Sequence, residues 1–106
     1  MLLVKLNGIY DILSSFTILG FIHIPILDRI HLQMIRGNGE NAIFKRYFAY
    51  WIMTYGCMRL SSDPMIIKTS YLLEAVCFIN EMTTGDVDVT KVGCVVATSL
   101  LLAYVI

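Results

Sequence analysis

Sixteen consecutive residues, Ile12 to Leu27, carry no charge, and fifteen more, Val92 to Ile106, close the chain without one. A chain of 106 residues buries too small a share of its surface to hide two such runs from water. Lipid is the solvent that suits them, since about 20 apolar residues in a helix cross a hydrocarbon core of roughly 30 Å. The rest of the sequence agrees: 58% of residues are hydrophobic, 15% are charged and the mean hydropathy is +0.74, against about 25% charged in an average soluble domain. Eight basic and eight acidic side chains cancel, so no basic field exists to collect nucleic acid. The hydrophobicity also excludes disorder.

The punctuation of the chain predicts an all-α fold, a four-helix transmembrane bundle with short loops and a single domain. The first helix is expected over about 6–27; Asn7, Gly8 and Asp11 interrupt its start, unlike the apolar stretch of a signal peptide. Pro25, a short amphipathic stretch with Ile30, Met34 and Ile35, and a turn at Gly37-Asn38-Gly39 follow outside the bilayer. A second, aromatic-rich helix is expected over 43–60. Ser61-Ser62-Asp63-Pro64 then stops it and starts a third over 64–82, with Asp63 as N-cap and Pro64 in the first turn, where its missing N–H costs nothing. Thr83-Thr84-Gly85-Asp86 separates this from a fourth helix over 89–106. Both termini fall on one side. Arg29, Arg36, Lys45, Arg46 and Lys91 on the loop face outnumber Lys5, Arg59 and Lys68 on the other, which orients the loops towards the cytoplasm.

Charges inside such spans are costly and normally have partners. If consecutive helices form antiparallel hairpins, residues at equal depth can be matched by number. Asp11 then lies opposite Arg59, and Arg46, Glu81 and Lys91 gather at the other face, giving two structural ionic layers. Glu74 falls near mid-bilayer, level with Tyr50 and Thr98 and without a cation. It is either a proton or ligand site or a neutral, buried carboxyl hydrogen-bonded to Tyr50, Tyr55 or Thr98. Ser70, Glu74, Cys77 and Glu81 share one face of the third helix, and Asn7, Asp11 and Ser14 one face of the first, so both polar stripes are expected to turn inward.

Gly93 with Ala97, and Ala49 with Gly56, are spaced for close helix packing. Tyr47, Tyr50, Trp51 and Tyr55 read as packing or interfacial aromatics. Cys57, Cys77 and Cys94 read as small buried apolar residues, without metal or disulfide spacing. His23 and His31 lack a ligand pattern. With no nucleophile elbow, phosphate loop, dinucleotide glycine pattern or zinc motif, the expectation is no catalysis, no cofactor and no metal.

The second and third helices read RYFAYWIMTYGCMR and SYLLEAVCFINE. This resembles the ergosterol biosynthetic protein 28 family, small four-helix membrane proteins whose second helix carries an R-x-F-x-x-W…R pattern and whose third ends in F-x-x-E. Arg46, Phe48, Trp51 and Arg59 match the first pattern, and Phe78 and Glu81 the second, over about forty of the 106 residues. The resemblance implies a non-catalytic scaffold of the endoplasmic reticulum membrane that holds sterol C-4 demethylation enzymes together. The functions expected are therefore a membrane scaffold or accessory subunit with the lipid bilayer and other membrane proteins as partners, a structural membrane component of a large assembly such as a virion inner membrane or respiratory complex, or a small transporter or lipid-binding protein using Glu74.

Overall fold

Gly20 ends the first helix well before the apolar run does. In the computed structural model, which describes residues 2–24, 27, 42–85 and 87–106, helix α1 is Leu2–Leu19. Gly20 adopts φ 85°, its N–H bonds to the Thr17 carbonyl at 3.1 Å and the Phe21 N–H to that of Phe16 at 3.0 Å. That pair of bonds is a Schellman closure, which requires a left-handed residue and so selects glycine. The helix expected over 6–27 is thus corrected at both ends. Its early start is held by Lys5, whose Nζ donates to the carbonyls of Arg59 (3.2 Å) and Ser61, groups left without partners where the second helix stops.

Helix α2 is Ala42–Arg59, α3 is Pro64–Thr84 and α4 is Val89–Val105, close to the expected 43–60, 64–82 and 89–106. Asp63 caps α3 by accepting from the Met65 N–H at 2.9 Å, with Pro64 in the first turn and Gly85 at φ 81° behind the last. Asp88 caps α4 in the same way through the Thr90 and Lys91 N–H groups. The amphipathic stretch and the Gly37-Asn38-Gly39 turn lie outside the described residues.

Each helix buries one stripe, at i, i+4, i+7, i+11 spacing in two of them: Val4, Gly8, Asp11 and Ser15 on α1, and Val92, Val96, Ser99 and Ala103 on α4. The packing is in two hairpins. Helix α1 lies along α2 and α3 along α4, whereas α2 and α3 meet only sparsely. Gly8 and Gly56 set the first hairpin's spacing: a Cβ built on Gly56 would stand 2.8 Å from the Gly8 carbonyl oxygen, and one on Gly8 2.9 Å from that of Gly56. Gly8, expected only as an interruption, is therefore half of a close helix contact. The Gly93 expectation is corrected, since a Cβ there meets nothing within 4 Å.

Of two apolar clusters, the first joins the hairpins and the second lies within the α3–α4 hairpin. Val4 packs with Ile67, Tyr71, Leu102 and Ala103, and Ala75 and Phe78 pack with Val87, Val92 and Val96. Outside them large apolar side chains are common on the surface and polar ones sit in the core. Leu2, Leu3, Phe21, Leu101 and Tyr104 are exposed, while Asp11, Ser14, Ser15, Arg59, Ser70 and Ser99 are buried, and Arg59 is the largest fully buried side chain. Many hydroxyls are satisfied within their own helix, as Ser15 is by the Asp11 carbonyl at 2.8 Å and Thr69 by that of Met65 at 2.7 Å. Cys57 and Cys94 are exposed and Cys77 half-buried, all three as free thiols, which corrects the expectation of buried cysteines. Cys57 and Cys94 fall outside the inward stripes of their helices.

Candidate functional site: a buried guanidinium shared by two hairpins

Arg59, the last residue of α2, turns inward with only 1% of its surface exposed. Its Nη1 donates to Asp11 Oδ2 at 2.6 Å and its Nε to Ser70 Oγ at 3.2 Å, while Nη2 lies 3.1 Å from Glu74 Oε2. The Nη2 contact is charge against charge without an aligned N–H, so this nitrogen has no hydrogen-bond partner. The guanidinium plane is covered by aromatic rings, with Cζ 3.9 Å from the Tyr71 centroid and 5.2 Å from that of Tyr55, close enough for cation–π attraction. Around this centre the Tyr71 hydroxyl donates to Asn7 Oδ1 at 2.8 Å and Ser99 Oγ to Glu74 Oε1 at 2.7 Å. All four helices contribute. A cavity of about 360 Å³ adjoins the cluster, lined by Asn7, Asp11, Arg59, Glu74, Thr98 and Ser99 among others.

The structure brings Asp11 and Arg59 together, the pair that depth matching proposes. It corrects the placement of Glu74 as a charge with no cation, because Arg59 supplies one. Equal-depth matching across α2 and α3 presumes that these two run side by side; they belong to different hairpins, and the guanidinium crosses the seam between them. Tyr50 is also corrected. It faces outward, edge-on to Tyr47 with centroids 6.0 Å apart, because Ala49, Ile52, Gly56 and Arg59 form the inward stripe of α2. Thr98 shares the cavity with Glu74 but gives its hydroxyl to the Cys94 carbonyl at 2.9 Å, and its neighbour Ser99 holds the carboxylate instead.

The second ionic layer does not form among the described residues. Arg46, Glu81 and Lys91 are all exposed and no ion pair joins them, since none of the three belongs to the buried face of its helix. Reversing Arg46 or Glu81 should therefore cost little. The double variant R46E/E81R should equal the sum of the singles within about 0.5 kcal/mol, measured by thermal unfolding in detergent; rescue of one reversal by the other would show a contact.

Sequence reasoning missed Tyr71, Ser70 and Ser99 as partners of the charges. The helical stripes that expose them were available, because each lies at i+3 or i+4 from another inward residue. Among the described residues no three His, Cys, Asp or Glu side chains gather into a metal site. No protein-family model, curated protein or solved structure matches this chain.

Proposed function

We propose that the chain is a multi-pass membrane protein, non-enzymatic, that serves as a scaffold or accessory subunit by presenting its outer helix faces to lipid and to other membrane proteins. The observation that carries this is the inversion of the bundle: a guanidinium and a carboxylate at its centre, and leucines on its surface. In water that arrangement forgoes the burial of Leu and Ile side chains, each worth about 1.5–3 kcal/mol, and still desolvates an ion pair. In lipid it is the expected arrangement, since charges must turn inward and find partners while apolar faces need no cover. Leu2–Leu19 is long and apolar enough to span a membrane, and Val89–Val105 is a shorter apolar helix of the same kind.

The scaffold role follows from where the polar groups point. Most of those at the centre are spent on one another, and helices α2, α3 and α4 are joined by short connections, residues 60–63 and 85–88, rather than by appended domains. The resemblance to the ergosterol biosynthetic protein 28 family adds a non-catalytic precedent and favours the endoplasmic reticulum or a membrane derived from it. Two measurements test the reading. Alkaline carbonate should leave the full chain in the membrane pellet, with Cys57 and Cys94 modified more readily by a lipid-soluble maleimide than by a charged one. Purification in mild detergent should recover defined membrane partners in fixed ratio; recovery of a monomer alone would sink the scaffold role, and release by carbonate would sink the membrane placement.

A further inference from the structure

A separate cavity, of about 200 Å³, lies at the seam where α2 and α3 meet only sparsely. Helix α2 lines it with Phe44, Phe48 and Trp51, which share a face at i, i+4 and i+7. Helix α3 contributes Cys77, Phe78 and Glu81. The buried Phe78, packed with Val87, forms its inner end, and the exposed Trp51 and Glu81 form its outer one.

The lining is aromatic except for one charge. Aromatic faces are electronegative and attract a cation laid against them, most strongly at tryptophan. The Glu81 carboxylate adds a full negative charge at the mouth, and no ion pair engages it among the described residues. The crevice is thus attractive to positive charge but poor in hydrogen-bond acceptors. An ammonium with N–H donors would leave some of them unsatisfied against the rings, at a desolvation cost. A trimethylammonium has no N–H, and its charge is spread over methyl groups that pack on aromatic faces. The size agrees, since sites for whole drug-sized ligands run to about 300–1,000 Å³ and this space suits a headgroup.

Depth identifies the source of that group. Phe44 stands in the first turn of α2, Glu81 in the last turn of α3, and Val87 just ahead of α4. In a membrane that end of the helices meets the layer of lipid headgroups. We propose that the crevice binds the trimethylammonium end of a phosphatidylcholine headgroup, between the rings of α2 and the carboxylate of Glu81, with the acyl chains left in the bilayer. The inference rests on the membrane placement above and does not depend on the scaffold role.

Trp51 is the single tryptophan of the chain, so its fluorescence reports on the crevice directly. The test titrates the full chain, in uncharged maltoside micelles, with dihexanoyl phosphatidylcholine, with phosphatidylethanolamine and phosphatidylglycerol of the same chains, and with choline chloride. Phosphatidylcholine should change the Trp51 emission saturably and raise the unfolding temperature. The other two lipids, and choline without its chains, should each bind at least about tenfold more weakly. Glu81→Gln alters an exposed residue outside the buried face of α3; it should fold normally and weaken phosphatidylcholine by about threefold or more. Trp51→Leu, followed by thermal unfolding, should lose the rise that phosphatidylcholine gives. Equal binding of the three lipids, preference for another headgroup, choline chloride as tight as the lipid, no saturable binding, or full affinity in either variant overturns the proposal. Carbonate extraction reads the membrane placement separately, so failure of one is not mistaken for failure of the other.

Discussion

Arg59→Met is expected to be the most damaging single substitution in the chain, lowering stability by about 3–5 kcal/mol, the range found when one partner of a buried ion pair is removed. The loss is not that of a contact alone. Asp11 and Glu74 would both lose the guanidinium they share, and Ser70 would lose the Nε–H it now accepts at 3.2 Å. Against a total stability of roughly 5–15 kcal/mol for a domain, such a variant should elute from a sizing column as aggregate rather than as a single species. The triple variant R59M/D11N/E74Q should regain most of the loss, because replacing a whole buried ionic group by neutral residues is often neutral or stabilising. Arg59→Lys should fall between, keeping the charge but losing the planar fork that reaches Asp11, Ser70 and Glu74 at once and stacks on Tyr71. A triple variant no better than the single would mean that the guanidinium matters for its packing between Tyr55 and Tyr71, not for its charge.

Gly56→Val is expected to have the next largest effect. A Cβ at Gly56 would lie 2.7 Å from Ile12 Cγ1, 2.8 Å from the Gly8 oxygen and 3.2 Å from Asp11 Cβ. Ile12 can move; the Gly8 backbone moves only if α1 and α2 separate. Overpacking of this kind costs about 1–3 kcal/mol, and the separation also draws Asp11 off the guanidinium. Gly8→Ala should show the same defect in milder form, its Cβ standing 2.9 Å from the Gly56 oxygen. Gly93→Ala, with open space around it, should be neutral or stabilising by up to about 1 kcal/mol, the helix preference of alanine over glycine. Thermal unfolding in detergent should rank the three in that order, and a Gly93→Ala as harmful as Gly56→Val would show that helix contacts form there with a partner chain.

The four helices and their caps at Asp63 and Pro64 were readable because capping chemistry and long apolar segments act locally. The inward face of α1 was readable because Asn7, Asp11 and Ser14 share one side of a helix. What escaped was set by geometry between helices. Gly20 sits inside an apolar run, where hydropathy sees no boundary and only the left-handed turn makes one. Gly8 looked like a flaw in a span until Gly56 was found against it. Glu74 looked unpaired because residue numbers locate depth only between helices packed along their length, and α2 and α3 meet only sparsely; Arg46 looked paired because matching by depth says nothing of which way a side chain faces, and Arg46, Glu81 and Lys91 are all exposed. Arg59 crosses that gap because its side chain is long, a property that no spacing rule over Cα positions contains.

The division into hairpins bears on the order in which the molecule is assembled. The first hairpin is balanced in itself, since Asp11 and Arg59 meet across α1 and α2. The second carries Glu74 with only a serine hydroxyl for company, and its carboxylate is matched only when Arg59 arrives from the other half. The N-terminal half emerges first during synthesis and can stand by itself, whereas the C-terminal half is incomplete until docked. Two fragments divided at Ser61–Ser62 should therefore behave unequally when expressed apart: the first persisting alone, the second surviving proteolysis only when the first is supplied beside it.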